Sequence, residues 1–167
     1  MWLTISVAVV WAIVLAGAGG LLTTIGPWYR ALRKPSWQPP DWAFGPAWTL
    51  ILGMAAASGV LAWNNAGPNG GAVLAYFGVI SAFHLLWSPL FFTWHRPDWA
   101  LIEIPFLWVA LIVAMIGLTP ISAVSSWLLA PFFAWVTFAA RLNLEIVRLN
   151  GPFGVAARDV AAQTPVP

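Results

Sequence analysis

Apolar residues run through this chain in long blocks. A helix needs about 20 consecutive apolar residues to cross the hydrocarbon of a bilayer. Five blocks satisfy that: residues 2–25, 44–63, 72–94, 99–118 and 122–150. Each ends at a turn or breaker signal. "NNAGPNGG" closes the second, "HRPD" the third, "TP" the fourth and "GPFG" the fifth. The pattern predicts an all-α membrane protein, a five-transmembrane-helix bundle forming one domain over residues 1–150. Residues 26–43 would be a loop, and residues 151–167 a C-terminal tail whose last part reads as disordered. The first block lacks a basic leading region and exceeds the 7–15 apolar residues usual for a signal peptide. It is therefore read as a retained helix. Pro46, Pro89, Pro105 and Pro131 fall at or inside these helices, which lipid-embedded helices tolerate when neighbours satisfy the freed carbonyls.

Composition agrees. Of 167 residues, 61% are hydrophobic and 7% charged, against about 25% charged in a soluble domain. The net charge of +2 comes with no basic stripe, so nucleic acid is not an expected partner. The absence of cysteine excludes disulfides and thiolate chemistry. Arg30, Arg33, Lys34, Arg96, Arg148 and Arg158 all fall on one predicted side, while residues 64–71 and 119–125 carry no Lys or Arg. The positive-inside rule then predicts an integral, multi-pass protein with its N-terminus out and its C-terminus cytoplasmic. Part of the thirteen tryptophans is accounted for by interfacial belts.

The predicted cytoplasmic loop and the start of the second span read "WYRALRKPSWQPPDWAFGPAW", residues 28–48. Pro35, Pro39 and Pro40 fix φ and bias the residues before them toward extended backbone. The loop is therefore stiff. Trp37 and Trp42 then have two readings: a lid facing inward over a cavity, or an anchor at the headgroups. This segment resembles the first loop and second helix of the tryptophan-rich sensory protein and translocator protein family. "WSPLFF" at 87–92, "DWALIE" at 98–103, "PFFAW" at 131–135 and "LNLEIVRLN" at 142–150 are similar to that family's third, fourth and fifth helices, in order. The resemblance covers nearly the whole chain. It implies a five-helix bundle, commonly a homodimer, that binds porphyrins, haem or other flat hydrophobic ligands, with a role in stress or pigment regulation. No cofactor is required under that reading.

Helical spacing groups Trp48, Leu52, Ala55 and Gly59 on one face, Ile80, His84, Trp87 and Phe91 on a second, and Trp135, Ala139, Leu142 and Asn143 on a third. Large aromatics beside small residues make a slot for a flat molecule, although ordinary packing uses the same residues. The resemblance places Trp48, Phe91, Trp135 and Ala139 at positions matching the family's ligand pocket. The expected ligand-contacting set is Trp37, Trp42, Phe44, Trp48, Leu52, His84, Trp87, Phe91, Trp135, Ala139 and Asn143. The chain departs from the family pattern at Ile80 (usually Gln), His84 (often Asn), Leu52 (often Tyr or Phe) and Arg141 (often small or hydroxylated). Arg30, Arg33 and Lys34 are topology and headgroup cations, with a second role in meeting the propionates of a porphyrin.

Ionisable groups inside spans are costly and are functional candidates by default. Arg141 and Glu145, four residues apart, are expected to pair. Glu103 is expected near Arg96 or as a neutral acid in lipid. His84 is either a core histidine, an axial ligand to haem iron or a proton carrier. No metal site is expected otherwise. An acid–base enzyme acting on a porphyrin or isoprenoid, with His84, Glu103 and Glu145 as candidate catalytic groups, is the alternative to a receptor or transporter. Gly53–Ala57 and Ala55–Gly59 are small residues at four-residue spacing, suited to close helix packing within the bundle or across a dimer seam. No sterol-binding role is assigned, since neither tyrosine fits the proposed pattern.

Overall fold

The structure, a computed structural model, describes residues 2–154. Arg158 and the part of the predicted tail from residue 155 onward lie outside the described residues. Five helical segments are long and apolar enough to cross a membrane: Trp2–Leu22, Asp41–Asn65, Gly67–Thr93, Pro97–Leu118 and Ala123–Asn150. They carry helices α1 (Trp2–Leu22), α3 (Phe44–Asn65), α4 (Gly70–Ser88) and α5 (Pro97–Leu118), with α6 (Ala123–Leu128) and α7 (Ala130–Asn150) making the last crossing. A five-residue helix, α2 (Pro27–Ala31), sits in the first loop. No strand occurs among the described residues.

Proline sets several of these boundaries. Pro46 falls in the first turn of α3, where an N–H has no intrahelical partner to lose. Pro89 follows α4, and the chain there widens into a single turn, Pro89–Thr93, closed by Trp94 N–H donating to the Pro89 carbonyl at 2.9 Å. His95 then takes a left-handed φ of 54°, and the helix stops short of the residue 94 boundary expected from hydropathy. The fifth block, one helix by sequence, divides at Leu129. Pro131 lies in the first turn of α7 and cannot carry a helix through from α6. The Ser122 hydroxyl caps α6 by accepting from Ser125 N–H at 3.2 Å. Pro105 alone is interior to a helix.

The helices close a ring in the order α1, α3, α6/α7, α5, α4 and back to α1. Lipid is as apolar as leucine, so seams are fixed by close fit and polar ties rather than by hydrophobicity. Each of several seams has one such tie. Ser58 and Ser125, both fully buried, exchange hydroxyl-to-carbonyl bonds of 2.7 Å in each direction between α3 and α6. Trp11 donates to the Ser81 hydroxyl at 2.8 Å between α1 and α4. Trp108 donates to the Thr137 hydroxyl at 2.9 Å between α5 and α7. A Cβ at Gly117 of α5 would collide with the Tyr76 hydroxyl of α4, so any larger residue there displaces that side chain. Large apolar side chains such as Ile102 and Ile116 point outward, as lipid contact demands.

The two small-residue pairs have different uses. Ala55 is buried, and a Cβ on Gly59 would lie 3.5 Å from the Phe77 ring, so this pair serves packing inside the bundle. Gly53 and Ala57 instead line an outward groove between α1 and α3.

Candidate functional site

Inside the ring is a cavity of ≈ 400 Å³ lined by α1, α3, α4, α5, α7 and the first loop. That volume falls in the range of about 300–1,000 Å³ typical of small-molecule sites. Its middle is aromatic. Trp48 meets His84 at 4.6 Å, Phe132 at 5.5 Å and Trp135 at 6.2 Å between ring centroids, each edge-to-face. Phe44 meets Trp135 at 5.7 Å, and Trp87 stacks on Phe91 at 5.0 Å. These rings come from three helices whose inward faces coincide, as the helical spacing indicates.

Polar atoms punctuate this wall. Asn143 is 2% exposed, and neither its amide nitrogen nor its amide oxygen has a partner among the described residues. The Trp87 indole N–H is likewise buried without an acceptor. A buried polar group left unpaired costs about 1–3 kcal/mol, and the cost inside a membrane is not relieved by bulk water. The loop end of the cavity differs. There Tyr29, Gln38 and Asp41 line the wall and bond to one another. The Tyr29 hydroxyl donates to Asp41 Oδ1 at 3.1 Å, and Gln38 Nε2 donates to the Tyr29 oxygen at 3.2 Å. Burial first, and the neighbouring Asp41 charge second, push the Tyr29 phenol up to about 12, so it remains a donor.

Of the residues named from sequence, Phe44, Trp48, Leu52, His84, Trp87, Phe91, Trp135, Ala139 and Asn143 all line this one cavity. Trp37 and Trp42 do not. Trp42 is 74% exposed, and Trp37 sets its edge against Phe138 at 5.8 Å. Of the two readings of these indoles, this placement favours the anchor over the lid. Tyr29, Gln38 and Asp41 of the proline-stiffened loop line the cavity, Asp41 while remaining exposed, and Trp37 and Trp42 lie off it. The loop is also tied down. Asn150 of α7 bonds the Arg33 backbone twice, accepting from its N–H at 2.7 Å and donating to its carbonyl at 2.8 Å.

The candidate acid–base groups are dispersed. Glu145 lies off the cavity, 3.1 Å from both Arg141 and Arg148, so the expected pairing with Arg141 is present and a second arginine joins it. Glu103 is 5% exposed, off the cavity, with both oxygens unpartnered. It is not bridged to Arg96, which instead pairs with Asp98 at 2.8 Å and lies 4.1 Å over the Trp99 ring. His84 alone of the three faces the cavity. No group of three or more metal-ligating residues is found among the described residues. Sequence reasoning missed Tyr29, Gln38 and Asp41, and also Leu15 and Gly19 of α1, Thr23 just after it, and Ile104 and Leu107 of α5. Polar residues in a stiff loop were a signal for the first three. Nothing in an unbroken apolar block marks the others.

The charged loops share one side of the bundle with the end of α7. Besides the Arg33–Asn150 tie, Trp28 of α2 stacks on His95 at 4.2 Å, which brings the first loop, the α4–α5 junction and the end of α7 together. The charged loops on which the topology expectation rests therefore form a single surface.

Comparison with known proteins agrees with this architecture. The sequence profile of the TspO/MBR family matches residues 6–149. A protein named tryptophan-rich protein TspO from Archaeoglobus fulgidus is 36% identical over 148 residues, covering 89% of this chain and 96% of that one. Another of that name, from Chlorobaculum tepidum, is 39% identical over 127 residues, covering 74% and 79%. The human translocator protein is 29% identical over 126 residues, covering 74% and 75%. With five membrane-spanning helices around one central cavity and a family match across almost all of it, this chain is an integral, multi-pass membrane protein of the TspO/MBR family.

Proposed function

We propose that the protein is a membrane receptor or transporter that binds flat hydrophobic ligands, with tetrapyrroles such as protoporphyrin and haem as the first class to test, in the cavity walled by Trp48, His84, Trp87 and Trp135. One observation carries the reading. The Asn143 amide and the Trp87 N–H are buried without partners in an otherwise aromatic slot. A bound molecule with a flat face for the indoles and polar atoms at its edge completes what the protein leaves open. The names of related proteins, among them translocator protein and tryptophan-rich sensory protein, support a receptor or transporter. The proposed topology puts the N-terminus outside and the arginine-rich surface in the cytoplasm, and the proposed assembly is a homodimer in lipid.

The test is tryptophan quenching by protoporphyrin in mild detergent. A micromolar dissociation constant, about 8 kcal/mol, is expected. Trp48→Ala combined with Trp135→Ala should weaken it by about tenfold or more, since base- or ring-stacking on an indole is worth about 1–3 kcal/mol per contact. Unchanged affinity in the folded double variant places the ligand elsewhere.

A second reading, acid–base catalysis on a hydrophobic substrate, keeps only His84 inside the cavity. It is separated from binding by recovering the ligand: a binder returns it unchanged. His84 also bears on haem. If its imidazole ligates the iron, His84→Asn changes the Soret band and leaves metal-free porphyrin affinity intact. An unaltered Soret band makes His84 a wall residue only.

A further inference from the structure

We infer that the loop end of the cavity is built to receive hydrogen-bond donors, and that Asp41 selects flat ligands carrying a protonated amine or an N–H at that end. The inference rests on ligand binding in this cavity and adds a polarity to it. Three polar side chains from the loop reach the cavity: Tyr29, Gln38 and Asp41. Their donors are already engaged. The one phenol proton goes to Asp41 Oδ1 at 3.1 Å. The Gln38 amide nitrogen serves the Tyr29 oxygen at 3.2 Å and Asp41 Oδ1 at 3.4 Å. Turning that amide around would face its oxygen toward the Asp41 carboxylate and leave its NH2 without an acceptor, which favours the present assignment.

What remains free is acceptor on acceptor. Gln38 Oε1 is buried with no partner. Asp41 Oδ2 has no hydrogen bond among the described residues. None of Arg30, Arg33 or Lys34 lines the cavity. Lys34 is held with its ammonium 3.7 Å over the Tyr29 ring, and Arg33 is bound through its backbone to Asn150. The expectation that loop cations receive ligand carboxylates is therefore reversed inside the cavity, where the one formal charge from the loop is negative. A ligand carboxylate would face two acceptors and a like charge. An ammonium would gain a charge-assisted bond to Asp41, a second bond to Gln38 and the aromatic wall that Phe44 and Trp135 give the same cavity. For a porphyrin, whose N–H groups point into the ring centre, this end repels the propionates.

The test compares two probes with one flat body, 1-pyrenemethylamine and 1-pyreneacetate, titrated into protein in nanodiscs of phosphatidylcholine. The amine should bind wild type at least about tenfold more tightly, the scale of one charge-assisted hydrogen bond. Asp41→Asn should remove most of that preference. Gln38→Leu, which leaves the Tyr29–Asp41 bond in place, should weaken the amine alone and guards against misfolding of the first variant. Equal affinities, or a preference unchanged in Asp41→Asn, overturn the inference. So does failure of both pyrenes to bind while protoporphyrin binds, which leaves the binding reading standing. An amine preference that vanishes in Asp41→Asn while protoporphyrin does not bind supports the inference and sinks only the tetrapyrrole assignment.

Discussion

The two ends of the cavity solve the same problem in opposite ways. At the loop end, Tyr29, Gln38 and Asp41 satisfy one another and leave only acceptors over. Along the helical wall, Asn143 and the Trp87 N–H have no partner among the described residues. Polar groups near the membrane edge are free to be arranged by a loop, which can bend to meet them. Polar groups on rigid helices are paired only where a neighbouring helix presents a partner in register, as at Ser58–Ser125, Trp11–Ser81 and Trp108–Thr137. The loop end therefore reads as a preformed filter, and the middle as a site that a ligand completes.

The contrast can be tested from both sides. The largest expected effect is at the loop end. In Tyr76→Phe, Tyr29 is the remaining phenol, and its alkaline titration should centre near 12 instead of the ordinary 10. The sign follows from linkage: a folded value above the unfolded one stabilises the protein below pH 10, and that contribution is lost as pH rises through about 12. A midpoint at the ordinary value means that the Tyr29–Asp41 bond does not persist in solution.

Next is the middle. Asn143→Leu removes two unpartnered polar atoms, so thermal stability of the empty protein should rise, by about 1–3 kcal/mol. Protoporphyrin affinity should fall by about tenfold, the equivalent of one net hydrogen bond of about 1.4 kcal/mol. A loss of stability instead would make Asn143 a structural residue and end the contrast.

The smallest effect sharpens the boundary between cavity and surface. Trp37→Ala removes an edge contact with Phe138, worth about 0.5–1.5 kcal/mol beyond burial, and should lower the melting temperature modestly. Ligand off-rate should not change, because Trp37 does not line the cavity. Faster release with an intact melting temperature would restore the lid.

Much of this protein is legible in the chain. Hydropathy blocks depend only on neighbouring residues, so the five crossings come out of sequence with ends displaced by a few positions. The aromatic faces of α3, α4 and α7 are legible for a related reason: once a helix is granted, its 3.6-residue period puts Trp48 with Leu52, His84 with Trp87, and Trp135 with Ala139. Which way the loop turns its side chains is not a local property. Trp37 and Trp42 have the composition of a lid, yet the cavity wall takes Gln38 and Asp41 instead, in a loop that Asn150, more than a hundred residues away, ties down at Arg33. The contributions of α1 and α5 are equally hidden, since an apolar helix in lipid is greasy on every side and carries no amphipathic mark of its inner face. Sequence by itself determined the number of spans, the side that bears the charge and the aromatic character of the core. Tertiary structure decided which polar atoms enter the cavity and which are left without partners, because in a membrane those choices rest on close fits such as Gly117 on Tyr76 and ties such as Ser58 with Ser125, each made between residues far apart in the chain.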